Sequence, residues 1–262
     1  SSGYSQQTQD IERKLVESGW DSSNLALSNM FGQLGLVYKD EYGITNYPLL
    51  DHVVGSDAAM MHAKHFNADI VITLQDLWMM NPQDLQQIPR FIPWLPVDYD
   101  PIPKMLMGNL RFANRIIAMS QFGHKQLQES GFSSTYIPHH VDTNIFKPMY
   151  KRQRKIDLKI DPETFMFGMV AANKDLFPRK SFGQVLEAFQ ILHAKHTKSL
   201  LYIHTDPDQG GGYPIKAHAD YLGISTAIGF PEKYHWKLHT PKEEMNLIYN
   251  TMDLLLAPSS TE

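Results

Sequence analysis

Apolar residues along the 262-residue chain fall into two kinds of run that take turns. Short continuous runs bounded by turn residues predict buried strands. The clearest are ADIVITL (68–74), RIIAMS (115–120), FMFGMVAA (165–172), SLLYIHT (199–205) and MDLLLAPS (252–259). LALS (25–28), ITNYPLL (44–50), the Pro-interrupted RFIPWLPVD (90–98), TYIPHHVD (135–142) and KYHWKL (233–238) read as further strands. Between them, apolar positions recur at helical spacing. In 5–18, Ile11, Leu15 and Val16 share a face and Gly19 follows as a stop. Helices are likewise predicted over 57–66, 103–113, 121–131, 181–196, 215–223 and 241–251. The last carries acids in its first turn, where the helix dipole favours them.

Strands alternating with helices at this spacing predict an α/β fold with mainly parallel sheets. Right-handed crossovers put the loops that follow strands on one edge of each sheet, where doubly wound folds bind ligands. The alternation breaks at 146–162, FKPMYKRQRKIDLKIDP, and then restarts. The chain therefore reads as two tandem α/β domains, 1–146 and 163–262, joined by a linker at 147–162. Lys147, Lys151, Arg152, Arg154 and Lys155 crowd that linker. Such a run is read as a solvated face, with contact to anionic lipid head groups as the alternative.

The ends change this picture. SSGYSQQT places a Gly-containing loop before a helix, where a strand would ordinarily precede it, and LLLAPSSTE stops in the middle of the turn that follows its strand. The first domain reads as lacking its first strand and the second as lacking its C-terminal part.

Composition adds exclusions. A net charge of −4 offers no basic field for nucleic acid. With no cysteine there is neither a disulfide framework nor a thiolate metal site, which fits a cytoplasmic protein. No apolar run approaches the roughly 18 residues of a membrane span.

Candidate chemistry lies after strands. ANKDLFPRKSF (172–182) carries Arg179 and Lys180 just before a helix start. Free N–H groups there, with an Arg fork and a Lys point charge, suit a diphosphate; a surface Arg-Lys pair is the plain alternative. Gly3 offers a second, weaker approach of the same kind. Asp76 and Asp98 follow strands and could hold sugar hydroxyls or orient an acceptor, or else cap and turn the chain. HAKH occurs twice, at His62–His65 and His193–His196, without a third convergent ligand, so no metal is expected. Neither G-x-x-x-x-G-K-[ST] nor a strand-following G-x-G-x-x-G is present.

Taken in order, several stretches resemble glycosyltransferase family 4, the retaining GT-B glycosyltransferases. SSGYSQQTQDIERKLVESGW is similar to their Gly loop and first helix. IIAMSQFGHKQLQESG with YIPHHVDTNIFKP resembles their strand–Ser–helix–Gly segment and I-P-[NH]-G-V-D-x-x-x-F-x-P turn. FGMVAANKDLFPRKSFGQVLEAFQIL resembles the donor loop with its R-K pair, and LHTPKEEMNLIYNTMDLLLAPSSTE the approach to E-x7-E. The resemblance implies two Rossmann-like domains across a cleft, with the nucleotide-diphospho-sugar mainly on the second and the acceptor on the first. It implies retaining transfer without bound metal. Arg179 and Lys180 match the positions that hold the donor diphosphate, Glu262 the first Glu of E-x7-E, and Gly3 the phosphate-approaching loop. Leu238 and His239 fall in the base-binding loop. Asp76 and Asp98 remain acceptor-side candidates, for a glycan, lipid-linked sugar, protein or small metabolite. His140 stands where the family has Gly, so this turn is expected to differ. The alternatives are a GT-B-like nucleotide-sugar-binding protein without transfer activity and a nucleotide-sugar isomerase or epimerase.

Overall fold

A computed structural model describes residues 3–25, 35–51, 54–174, 179–233, 236 and 240–259. Leu238, His239 and Glu262 lie outside the described residues. The chain divides into two compact units, Ser1–His140 and Val141–Glu262.

The first unit runs α1 (Gly3–Glu17), β1 (Ser23–Leu25), β2 (Tyr38–Lys39), β3 (Thr45–Tyr47), α2 (Ser56–Phe66), β4 (Val71–Leu74), α3 (Pro82–Leu85), β5 (Phe91–Leu95), α4 (Lys104–Leu110), β6 (Ile117–Ala118), α5 (Gln121–Glu129) and β7 (Thr135–Tyr136). β1 pairs parallel to β3, and β2 pairs antiparallel to β3. A separate, all-parallel sheet has the order β4-β5-β6-β7. Its core is Leu77, Leu85, Phe91, Leu95, Leu110 and Leu127, drawn from strands, helices and connections alike. Boundaries follow local chemistry. α5 starts where Ser120 Oγ accepts from Gly123 N at 2.9 Å, and Gly131 at φ 85° follows its end. α2 ends on Asn67, which takes the left-handed conformation.

The second unit runs α6 (Lys151–Asp157), β8 (Phe165–Val170), α7 (Phe182–His193), β9 (Ser199–His204), α8 (Ile215–Tyr221), β10 (Ile228–Gly229), α9 (Lys242–Thr251) and β11 (Leu254–Leu256). Its sheet is all parallel, ordered β10-β9-β8-β11. Val185, Leu186 and Phe189 turn α7 onto Leu201 and Ile203 of β9. The Met252 side chain packs over Gly168 of β8, filling the place a Cβ there would take, 2.0 Å from Met252 Sδ.

Three expectations change. Of the expected strand KYHWKL only Lys233 and Trp236 are among the described residues, and both are helical; the third strand of this unit is Ile228–Gly229. Glu232 O accepts from Trp236 N at 2.9 Å, a helical bond that alternation of apolar and polar residues could not foretell. The helix predicted over 5–18 already begins at Gly3, so Gly3 opens α1 rather than forming a loop before it. The segment expected as a linker at 147–162 belongs to the second unit and contains α6. Its backbone is bound to α9: Lys147 N donates to Asn246 Oδ1 at 3.2 Å and Met149 N to Asn250 Oδ1 at 2.6 Å.

The crowded cations of that segment are largely committed. Lys151 and Lys155 meet Asp253, Arg152 meets Glu163, and Arg154 meets Asp157. Lys155 is buried, and its ammonium also donates to Thr164 O at 2.8 Å. Asp253 Oδ2 accepts in addition from Met166 N at 2.8 Å, which ties α6, β8 and the approach to β11 together. Burial alone would raise the Asp253 pKa. The bonds from Lys155, Met166 N and Lys151 outweigh it and hold the carboxyl below its ordinary value. Among the described residues, no helix is long and apolar enough to cross a membrane.

Candidate functional site

All four strands of the second unit are parallel, so the loops that follow β8, β9, β10 and β11 emerge at one edge. The loop after β8 contains Asn173, which is buried. Its Oδ1 accepts from Tyr213 N at 2.7 Å and its Nδ2 donates to Tyr213 O at 2.9 Å. One side chain thus holds the Gly-rich loop after β9. Gly212 follows from that closeness, since a Cβ there would stand 2.5 Å from Asn173 O. Tyr213 in turn lies over the start of α7. A Cβ on Gly183 would meet its hydroxyl at 2.5 Å, and that hydroxyl is 2.8 Å from His218 Nδ1.

Arg179 and Lys180 stand just before α7. Arg179 is exposed and Lys180 half-buried, with Lys180 Nζ donating to Ser259 Oγ at 3.3 Å. Ser181 follows in the left-handed conformation, φ 58° and ψ 34°. For a non-glycine residue this costs about 1–2 kcal/mol. Its hydroxyl donates to Pro258 O at 2.8 Å instead of capping α7. The loops after β8 and β11 are therefore bound together at the cations, and the first N–H groups of α7 receive no cap from Ser181. A helix start left this way, with two cations beside it, is chemically suited to a phosphate.

The end of β9 adds a polar cluster that the sequence reading missed. Tyr202 Oη and His204 Nδ1 are 2.9 Å apart, His204 Nε2 lies 3.4 Å from Thr240 Oγ1, and the Trp236 ring stands edge-on to His204 at 5.0 Å. Burial lowers the His204 pKa, so the ring is neutral at pH 7. Burial, and then Glu244, raises Tyr202 to about 12. Thr205 is buried beside them, and its hydroxyl has no hydrogen-bond partner among the described residues.

In the first unit, Asp76 is half-buried after β4, at the head of the 3-10 turn Leu77–Met79. Asp98 is exposed after β5, the neighbouring parallel strand, so both reach the same sheet edge. Gly3 has open space around it; a Cβ there meets nothing within 4 Å, so packing does not require glycine. The built feature at this edge is instead His139, after β7. Its ring stands edge-on to Tyr4 at 6.0 Å and to Trp94 at 5.3 Å. Trp94 Nε1 donates to Ile137 O at 3.0 Å. Gln7 brackets the next residue, donating to His140 O at 2.8 Å and accepting from His140 N at 3.1 Å, while His140 Nε2 lies 3.4 Å from Asp10. Burial first, and His140 second, lower the His139 pKa. His139 Nε2 is buried without a hydrogen-bond partner among the described residues. His140 does not take positive φ: among the described residues the non-glycine residues that do are Asn67, Arg90, Lys159 and Ser181.

Three histidines of the repeated HAKH make contacts within the fold. His62 stacks on Tyr47 at 4.5 Å and bonds Pro48 O, while His65 meets the same tyrosine edge-on. His193 Nδ1 is 2.8 Å from Ser199 Oγ.

No protein-family model and no curated protein matches the sequence. Solved structures do match in fold. The glycosyltransferase from Rickettsia africae ESF-5 is similar over 99% of this chain and 70% of its own, with 14% identity and a TM-score of 0.67. Anabaena HepE in complex with UDP-glucose is similar over 99% and 71%, with 14% identity and a TM-score of 0.66. The E. coli trehalose-6-phosphate structure bound with UDP-2-fluoro glucose is similar over 99% and 75%, with 12% identity and a TM-score of 0.60. These likenesses show the fold: tandem α/β units of the kind found in GT-B glycosyltransferases.

Proposed function

We propose that this chain is the greater part of a retaining, family 4-type glycosyltransferase that draws its sugar from a nucleotide diphosphate. The observation that carries this reading is the junction at α7, where Arg179 and Lys180 precede a helix start that the Ser181 side chain does not cap and Lys180 is tied to Ser259. In the reaction the bond from the sugar's anomeric carbon to the diphosphate breaks and the acceptor oxygen takes its place. Negative charge grows on the departing diphosphate, and Arg179, Lys180 and the α7 N-terminus are the groups placed to stabilise it without a metal ion. Asn173 and Tyr213 keep the neighbouring loop in place. On the first unit, Asp76, Asp98 and His139 are the acceptor-side candidates. Donor contacts by Gly3, Leu238, His239 and Glu262 belong to the same proposal. The ion pairs of 151–155 favour a structural role for that segment over a lipid contact.

The test is a panel of nucleotide sugars offered with and without acceptors to a protein containing this chain, with product stereochemistry read by NMR. Release of nucleoside diphosphate with a retained glycosidic product supports the reading. Tight nucleotide-sugar binding without turnover points to the binding protein, and sugar rearrangement without an acceptor points to the isomerase.

A further inference from the structure

Two loops of the first unit hold large apolar side chains out in solvent on backbone that is pinned at both ends. In the loop after β4, Leu77 and Met80 are buried in the core of this unit. Residues three apart share a face of a 3-10 turn, so burying Leu77 and Met80 turns Trp78 and Met79 outward. Trp78 is 53% exposed. The turn is also held from α4, where buried Asn109 donates to Leu77 O at 2.9 Å and to Met80 O at 3.0 Å. The loop after β5 is built in the same way. Val97 and Ile102 are buried in the same core, and every residue between them, Asp98 to Pro101, is exposed, Tyr99 at 55%. β4 and β5 are neighbouring parallel strands, so both loops leave the sheet at one edge. Exposed Met105 follows in the first turn of α4.

The charges at this edge have one sign. Between 75 and 81 and between 96 and 103 the only charged side chains are Asp76, Asp98 and Asp100. Ionised carboxylates accept hydrogen bonds and donate none. They repel phosphate and sulfate groups and the anionic face of a membrane. An acyl chain laid over them would take their water away and return no bond. A molecule with flat C–H faces and many hydroxyl donors suits both parts. Its C–H faces rest on the electron-rich ring faces, and its hydroxyls donate to the carboxylates. An uncharged sugar chain has that chemistry. Rings already fixed by pinned loops lose little freedom when it binds.

We infer that these two loops form a stacking platform for an uncharged oligosaccharide, with Trp78 and Tyr99 as its rings and Asp76 and Asp98 as its hydroxyl acceptors. That the bound sugar chain is the acceptor rests on the transferase reading above; that it binds here does not.

The experiment titrates the isotope-labelled full chain, without donor, with maltotetraose, cellotetraose, mannotetraose and the anionic tetragalacturonate. NMR reads the Trp78 indole and Tyr99 amide signals. At least one neutral tetrasaccharide shifts both signals saturably, and tetragalacturonate shifts neither. Trp78→Ala, at an exposed position, keeps the urea midpoint and weakens that binding by roughly 10-fold or more, whereas Trp78→Phe keeps a ring and most of the affinity. Absence of a shift with every neutral sugar overturns the platform, and so does an equal response to tetragalacturonate. A shift produced only by a Lys-rich peptide overturns it in favour of a basic polypeptide. Phosphatidylcholine vesicles with and without lactosylceramide separate a lipid-linked sugar from a free one: retention that requires the glycolipid supports the platform, and retention on plain vesicles overturns it. Calorimetry with UDP-glucose keeps the two readings apart. Sugar binding at Trp78 without nucleotide-sugar binding keeps the platform and removes the transferase; the reverse removes the platform and leaves the transferase.

Discussion

Asn173 and Tyr213 are joined by two hydrogen bonds, at 2.7 and 2.9 Å, and through them the loops after β8 and β9 form one surface. The pair is buried at Asn173, so removing the amide strands the N–H and C=O of Tyr213 in a dry place.

Asn173→Ala is therefore expected to destabilise the second unit by about 2–4 kcal/mol, from two lost bonds each leaving an unmet partner. Gly212→Ala is expected to act through the same loop, because its Cβ would press on Asn173 O at 2.5 Å. Urea unfolding measures both. If Asn173→Ala unfolds at the same urea concentration as the parent chain, the clamp is not a structural determinant.

Asp253 gives a pH dependence with a definite sign. Its carboxyl titrates below the ordinary 3.8 in the folded chain. The unfolded chain thus takes up its proton first as pH falls, and folding is penalised. The contribution is complete above about pH 5 and is lost as pH drops through the folded value. Asp253→Asn keeps the shape but leaves Lys155 as a buried, unpaired ammonium. A loss of about 3–5 kcal/mol at pH 7 is expected. Lys155→Met, which removes the buried charge, is expected to be markedly milder. Equal losses from the two substitutions would show that the charge of Lys155 is not the cause.

Much of the fold was legible because burial and periodicity coincide in it. The runs at 165–172 and 199–205 contain the strands Phe165–Val170 and Ser199–His204, which pair with each other along their length and have a parallel neighbour on the other side as well, and that burial enforces the apolar pattern that announces them. Pro93 ought to break β5, but alternation turns its nitrogen to the β6 side, where pairing begins only at Trp94. The candidate site was legible where the proposal rests on charges next to a helix start, as at Arg179 and Lys180. It was hidden where one polar side chain serves backbone far away in sequence: Asn173 reaches 40 residues on, and Gln7 reaches 133. No local spacing encodes such pairs. His139 was visible only as a position of the YIPHHVD turn, and its surroundings, Tyr4 and Trp94, arrive from other elements. α6 was read as solvated because its sequence is charged; the acids that pair with it come mostly from outside the helix.

Glu12 is a further case of a charged residue inside. It is buried on α1, and burial, with Asp40 as a second cause, raises its pKa to about 7. The folded chain then holds this proton more tightly than the unfolded chain, whose value is about 4.5. Stability is fully present below pH 4.5 and declines as pH rises through 7. Glu12→Gln removes the titration, so the variant is expected to exceed the parent by about 2–3 kcal/mol at pH 8 and to match it near pH 4.5. Unfolding curves at the two pH values decide this. A parent chain whose stability is flat between them would mean that Glu12 is solvated.

Arg179 and Lys180 make the proposed chemistry testable apart from folding. Arg179 is exposed, so Arg179→Ala is expected to leave the unfolding midpoint within about 0.5 kcal/mol of the parent. If its guanidinium binds the donor diphosphate, the same change removes charge-assisted hydrogen bonds worth about 1.5–3 kcal/mol. Titration calorimetry should then show UDP-glucose binding weakened by roughly 10- to 150-fold. Arg179→Lys keeps the charge but loses the fork, and is expected to fall between parent and alanine variant. Lys180→Ala has a further consequence, because Lys180 Nζ also holds Ser259. It should weaken donor binding and loosen the loop after β11, read as faster amide exchange at Pro258's neighbours Ala257 and Ser259. Salt separates the two roles: a diphosphate contact weakens as ionic strength rises, whereas the bond to a neutral hydroxyl does not. Donor affinity that is unchanged in Arg179→Ala and Lys180→Ala alike would remove both cations from the site, and the reading of the α7 junction as a diphosphate clamp with them.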